Sequence, residues 1–193
     1  MASHSAIANQ SNFFTNSSFT GTSGTKTAGS GTINGTVPDS WTVEITAGTP
    51  TIDLTSPART VATDGDASGY NLQAVFSYSG TGTQTFRLLQ SGMHATLVAG
   101  SRYRILLPIV VTGATGMTGM EAIAFGTGTG SGNLNIGALV GTGSAIAGDY
   151  AGTLVIPEFE CPASLSGLSI FARFYFTSGG ATIVFGKPTF EAV

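Results

Sequence analysis

Hardly any stretch of this chain runs the length of a helix without a glycine or a proline, and that punctuation constrains its fold more than any other feature. What survives between the breaks alternates with period two, the signature of a strand with one buried face. Residues 40–46 set Trp41, Val43 and Ile45 against Thr42, Glu44 and Thr46. Residues 70–78 align Tyr70, Leu72, Ala74, Phe76 and Tyr78, and residues 83–90 oppose Phe86, Leu88 and Gln90 to Thr85, Arg87 and Leu89. Residues 101–112 carry the longest stripe, Tyr103, Ile105, Leu107, Ile109 and Val111. Further strands are predicted at 121–126, 134–140, 152–156, 169–177 and 181–185. Strands with one apolar face each must pair off into two packed sheets. The sequence therefore predicts an all-β, two-sheet antiparallel sandwich, with Trp41, Tyr103, Leu107, Ile109, Phe174 and Phe176 in its core. The Gly/Thr/Ser-rich stretch 20–37 is predicted to be a long loop. Residues 1–11 read as an N-terminal arm and 12–193 as a single domain.

Composition narrows the function. Only 9% of residues are charged, against about 25% in ordinary soluble proteins, so hydroxyls and amides must cover the surface. Seven basic residues and a net charge of -3 provide no positive field for phosphates, which excludes nucleic acid as a partner. The long apolar run at 105–111 holds Pro108 and falls far short of the roughly 20 residues of a membrane span. No basic segment followed by an apolar one opens the chain, so no signal peptide is expected.

Residues able to do chemistry are few and scattered. Cys161 is alone, and is expected to be a small buried residue. His4 and His94, the two histidines, stand near no nucleophile elbow. The carboxylates Glu44, Asp53, Asp64, Asp66, Glu121, Asp149, Glu158, Glu160 and Glu191 are too dispersed to specify a hydrolytic pair. Asp64-Gly65-Asp66 lacks the further oxygen ligands of a calcium loop and reads as a turn. The glycine run at 126–132 lacks the lysine and the strand-helix setting of a phosphate loop. No catalytic residue, metal or cofactor is predicted. What remains is a sugar platform of strand-borne guanidinia, an amide and a ring: Gln73, Arg87, Arg102, Arg104, Arg173 and Tyr175. The alternative reading of these arginines is that they pair with nearby acids or stack on aromatics.

The order of features also resembles a known family. Asn12-Phe13-Phe14-Thr15-Asn16-Ser17-Ser18-Phe19 followed by Gly21, then Trp41, Leu72, the strand 86–90, Leu97-Val98-Ala99-Gly100-Ser101-Arg102-Tyr103 and the ending 183–190 resemble the jelly-roll carbohydrate-binding modules of the family 4/9 type. The form of the opening is similar to that of bacteriophage virion proteins. Positions that hold acids near a structural calcium in that family hold Thr20 and Gly186-Lys187 here, so no metal is expected. The resemblance implies a non-catalytic jelly roll on the surface of a phage or phage-like virion, capsid or tail, extracellular when it acts. Its role there would be attachment or decoration, its partners host-surface glycan and other virion proteins, and its state a homo-oligomer, with a trimer expected. The alternatives are a purely structural decoration (cement) protein and a free carbohydrate-binding module of a polysaccharide-degrading system.

Overall fold

In the computed structural model, which describes residues 12–57, 70–128, 133–138 and 148–193, the alternating segments pair into two sheets. The first runs, in spatial order, β1 (Thr25–Thr27), β3 (Thr42–Ala47), β6 (Gln84–Ser91), β11 (Leu165–Phe176), β8 (Met117–Gly128) and β9 (Asn133–Ala138). The second runs β10 (Tyr150–Glu160), β7 (Arg102–Thr112), β12 (Gly179–Phe185), β5 (Leu72–Tyr78), β4 (Thr51–Thr55) and β2 (Thr32–Asn34). The closing strand β13 (Thr189–Ala192) shares one flank of β7 with β12. Pro108, which has no N–H to donate, stands in the gap between those two partners, and its carbonyl accepts the Gly186 amide at 2.9 Å.

The inner faces of both sheets form one continuous core. The six residues predicted for it, Trp41, Tyr103, Leu107, Ile109, Phe174 and Phe176, are all buried. Its aromatics fall into two groups. Phe76, Phe86, Phe174 and Phe176 stack in a ladder between the sheets, with Phe76 and Phe176 only 4.0 Å apart. A second group gathers Phe13, Phe14, Phe19, Trp41, Tyr103, Phe159 and Phe190. The opening segment is tied into it by amides. Asn12 accepts the Phe14 and Phe190 amides and donates to the Pro188 carbonyl at 2.7 Å. The Trp41 indole donates to the Asn16 carbonyl at 2.7 Å.

Four strands escape the sequence reading: β1, β2, β4 and β13. The stretch 20–37 holds β1 and β2, which pair in parallel with β3 and β4 at the sheet edges, so among the described residues the strands pair antiparallel except at these two places. The reason is exposure: of the six residues in β1 and β2, only Ile33 is buried, so edge strands this short leave no apolar stripe to read. Tyr70, predicted to face the core, is 45% exposed, and β5 begins two residues later. Residues 1–11, and with them His4, lie outside the described residues, as do Asp64, Asp66 and positions 129–132 of the glycine run.

Asp39 pins the loop ahead of β1. Its carboxylate accepts the Ser23 hydroxyl and amide, each at 2.7 Å, and Gly21 passes so close, at φ 75°, that a side chain there would strike Asp39. The Ser23 hydroxyl first, and its amide second, hold the Asp39 carboxyl below its ordinary 3.8. A lowered acid stabilises the fold fully above that ordinary value and stops doing so as pH falls through its folded value. Following the Asp39 carboxyl by NMR titration should show Ser23→Ala moving its midpoint upward. An unchanged midpoint would mean the loop does not hold the carboxylate.

Candidate functional site

Strand register assembles the outer face of the first sheet row by row. Across four adjacent strands, Glu44 on β3 is paired with Arg87 on β6, Arg87 with Arg173 on β11, and Arg173 with Glu121 on β8. In a chain with seven basic and ten acidic residues, four of them stand in this one row, in the order minus, plus, plus, minus. The next row is Thr42, Leu89, Phe171 and Ile123, and the one beyond it Ser91, Ser169 and Phe125. Leu89, Phe171 and Ile123 form a small apolar cluster of their own outside the main core, with Phe125 packed against it.

The two arginines are directly opposite one another, an arrangement that like charge disfavours. The flanking acids and the Phe171 ring of the next row offset it. Arg87 Nε donates to Glu44 Oε2 at 2.5 Å, and Arg173 Nη1 lies 3.1 Å from Glu121 Oε1. Both guanidinia sit over the Phe171 ring, their carbons 5.1 and 4.9 Å from its centroid. Tyr175 donates its hydroxyl to Glu121 at 2.5 Å and accepts from Arg173 at 3.1 Å. Burial first, and the bond to Glu121 second, push the Tyr175 phenol above its ordinary range, so it remains a donor.

Beside this row lies a hollow of about 240 Å³, lined by Glu44, Arg87, Leu89, Ser91, Phe125, Ser169 and Phe171. Its floor is apolar, one wall is the Arg87–Glu44 pair, and at one end the Ser91 and Ser169 hydroxyls bond each other at 2.8 Å. Every lining residue sits on a paired strand, so the hollow is formed before any ligand arrives.

The six residues of the predicted platform do not share a face. Arg87, Arg173 and Tyr175 belong to the first sheet, whereas Gln73 on β5 and Arg102 and Arg104 on β7 belong to the second. Arg102, 65% exposed, lies 3.4 Å from Glu158; Arg104 Nε donates to Glu191 at 3.1 Å. Alternation tells inside from outside on one strand, but it does not say which sheet that strand joins. Of the six, Arg87 lines the hollow. Phe171, only 6% exposed, lies beneath the guanidinia and shows the hollow little more than an edge, and the more open of the two rings that line it is Phe125. Phe125, Phe171, Leu89 and the two serines are absent from the predicted platform, although Leu89 shares the predicted face of Arg87 and Phe171 shares the parity of Arg173 and Tyr175.

Elsewhere the chemistry is sparse. Cys161 is buried, its thiol pushed up by that burial, as expected for a packing residue. Among the described residues no three His, Cys, Asp or Glu side chains are grouped as a metal site would require, and no helix is long and apolar enough to cross a membrane.

No family model and no curated protein matches the sequence. Solved structures do match in fold. A carbohydrate-binding module of the β-sandwich superfamily, from work on promiscuous specificity, is similar over 78% of this chain at 13% identity and a TM-score of 0.52; this chain spans 56% of that one. The C-terminal family 22 carbohydrate-binding module of Clostridium thermocellum Xyn10B is similar over 80% of this chain and 86% of its own, at 12% identity and a TM-score of 0.50. The enzymatically active domain of bacteriophage CBA120 tailspike protein 4 aligns over 80% of this chain but 20% of its own, with a TM-score of 0.48. The first two fix the architecture: the chain has the β-sandwich fold of carbohydrate-binding modules.

Proposed function

We propose that this chain is a non-catalytic glycan-binding module, that the hollow on the outer face of the first sheet is its site, and that it acts in multiple copies on the surface of a phage or phage-like particle. The observation that carries the reading is the concentration of scarce charge around an apolar floor on four paired strands. Sugars present both apolar ring faces and hydroxyls, and a preformed surface of rings, guanidinium and carboxylate meets both with little ordering cost. The fold is one that carbohydrate-binding modules use. A shallow site of this size binds weakly, at about -4 to -8 kcal/mol for millimolar to micromolar dissociation constants. Many copies on one particle would convert weak binding into firm attachment, and a surface with few charges crowds without repulsion.

Titration of purified host-surface polysaccharide should show saturable binding that Phe125→Ala weakens about tenfold or more while circular dichroism stays unchanged. A wild-type protein that binds no host glycan, or a folded Phe125→Ala protein that binds as tightly, would sink the assignment. Mass spectrometry of purified particles tests the location.

One observation favours the decoration reading instead. The outer face of the second sheet carries Val75, Leu106, Pro108, Val110, Val155 and Val184, all half-buried, with Val155 paired to Leu106 and Val110 to Val184. An antiparallel sheet whose outer face meets only water normally alternates to polar residues there. Presence in particles without any glycan binding would select that reading.

A further inference from the structure

Resting on the glycan-binding reading, we propose that the hollow selects N-acetylated sugars, taking the acetamido group between its apolar floor and the Arg87–Glu44 wall. Three features of the hollow match the three parts of that group. The floor of Leu89 and Phe171, with Phe125 beside it, favours a buried methyl and penalises a hydroxyl, which would lose its water hydrogen bonds there. Arg87 spends only Nε on protein, in its bond to Glu44. Among the described residues its two Nη groups have no partner, which leaves N–H donors for a carbonyl oxygen. Glu44 receives Arg87 on Oε2, and Oε1 remains an acceptor for an amide N–H. The Ser91 and Ser169 hydroxyls at the end of the hollow can each give and accept a bond with ring hydroxyls.

Charge decides against the other substituents a sugar could present. A carboxylate or sulfate would be drawn to Arg87, but it would also face Glu44, which lines the hollow beside it, while Arg173 in the same row is already paired with Glu121. The row sums to zero, and Glu44 borders the hollow itself. A neutral group that both donates and accepts fits such a pair, and an anion does not. An unsubstituted hydroxyl satisfies the wall and wastes the floor. The acetamido group uses both.

The test pairs ligands that differ in this group alone. Calorimetric titration of the full chain with the β-1,4-linked trimer of N-acetylglucosamine and with cellotriose should show the acetylated trimer binding at least tenfold more tightly. The pair N-acetylgalactosamine and galactose, at matched concentrations, covers the other common ring configuration. Saturation-transfer NMR should place the strongest transfer on the acetyl methyl protons. Arg87→Lys, which keeps the charge but not the planar fork, should lose most of the preference while remaining folded. Equal or tighter binding of the unacetylated partner in both pairs, or strongest transfer to ring protons, overturns the selectivity and leaves glycan binding standing. Failure of every glycan, host polysaccharide included, overturns both.

Discussion

Replacing Phe176 with alanine should lower the unfolding free energy by about 3–5 kcal/mol, the range for removing a fully enclosed aromatic ring. The ring has no solvent exposure. It stacks on Phe76 of the opposite sheet at 4.0 Å and lies 6.5 Å from Phe86 on its own, so it is a contact through which the two layers hold each other. Its loss opens a cavity that neighbours can fill only partly, because Phe76, Phe86 and Phe174 are stacked on one another and cannot tilt independently. For a domain of this length the change corresponds to a fall of roughly 10 °C in melting temperature. Urea unfolding should show a lower midpoint with an unchanged slope. A loss below about 1 kcal/mol would mean the ladder does not bridge the sheets as described.

Much of this fold is legible in the sequence because alternation depends on local geometry alone. Residues 41, 43 and 45, or 103 to 111, announce their buried faces without reference to any partner, and the structure buries them. The residues that carry the family resemblance also prove to have mechanical tasks. Asn12 joins the opening segment to the closing strand, and Asn16 receives the Trp41 indole. Thr20, in the position where the family has an acid, bonds through its hydroxyl to Asn16 Oδ1 at 3.1 Å. What the sequence hides is long-range. Arg87 and Arg173 are neighbours across a pair of strands 86 positions apart in the chain, whereas Arg102 and Arg104, nearer to Arg87 in sequence, join the opposite layer. Residues 170–172, Ile-Phe-Ala, are apolar at every position, because β11 has the main core on one side and the small outer cluster on the other. A strand that is apolar on both faces carries no alternation, and there the platform's hydrophobic floor went unread.

That outer face sets up the second large effect. Arg173→Met should destabilise the protein by about 3 kcal/mol, although Arg173 lies on an outer face and fills no part of the main core. The cause is its partner. The Glu121 side chain is only 4% exposed, and its oxygen is held by Arg173 and by the Tyr175 hydroxyl. Removing the guanidinium strands a carboxylate out of reach of water, which is far costlier than losing a surface ion pair. Glu121→Gln combined with Arg173→Met should therefore recover much of the loss, since a neutral amide beside Tyr175 carries no unpaired charge. A double-mutant cycle by urea unfolding at neutral pH reads the coupling. If the single variant costs under 1 kcal/mol, or the double costs the sum of the singles, the pair is not coupled. The result bears directly on the site: Arg173 and Tyr175 are buttresses that hold Glu121 and the Phe171 ring in place, so binding should be probed at Phe125 and Arg87, where a change alters the hollow without unbalancing the charges behind it.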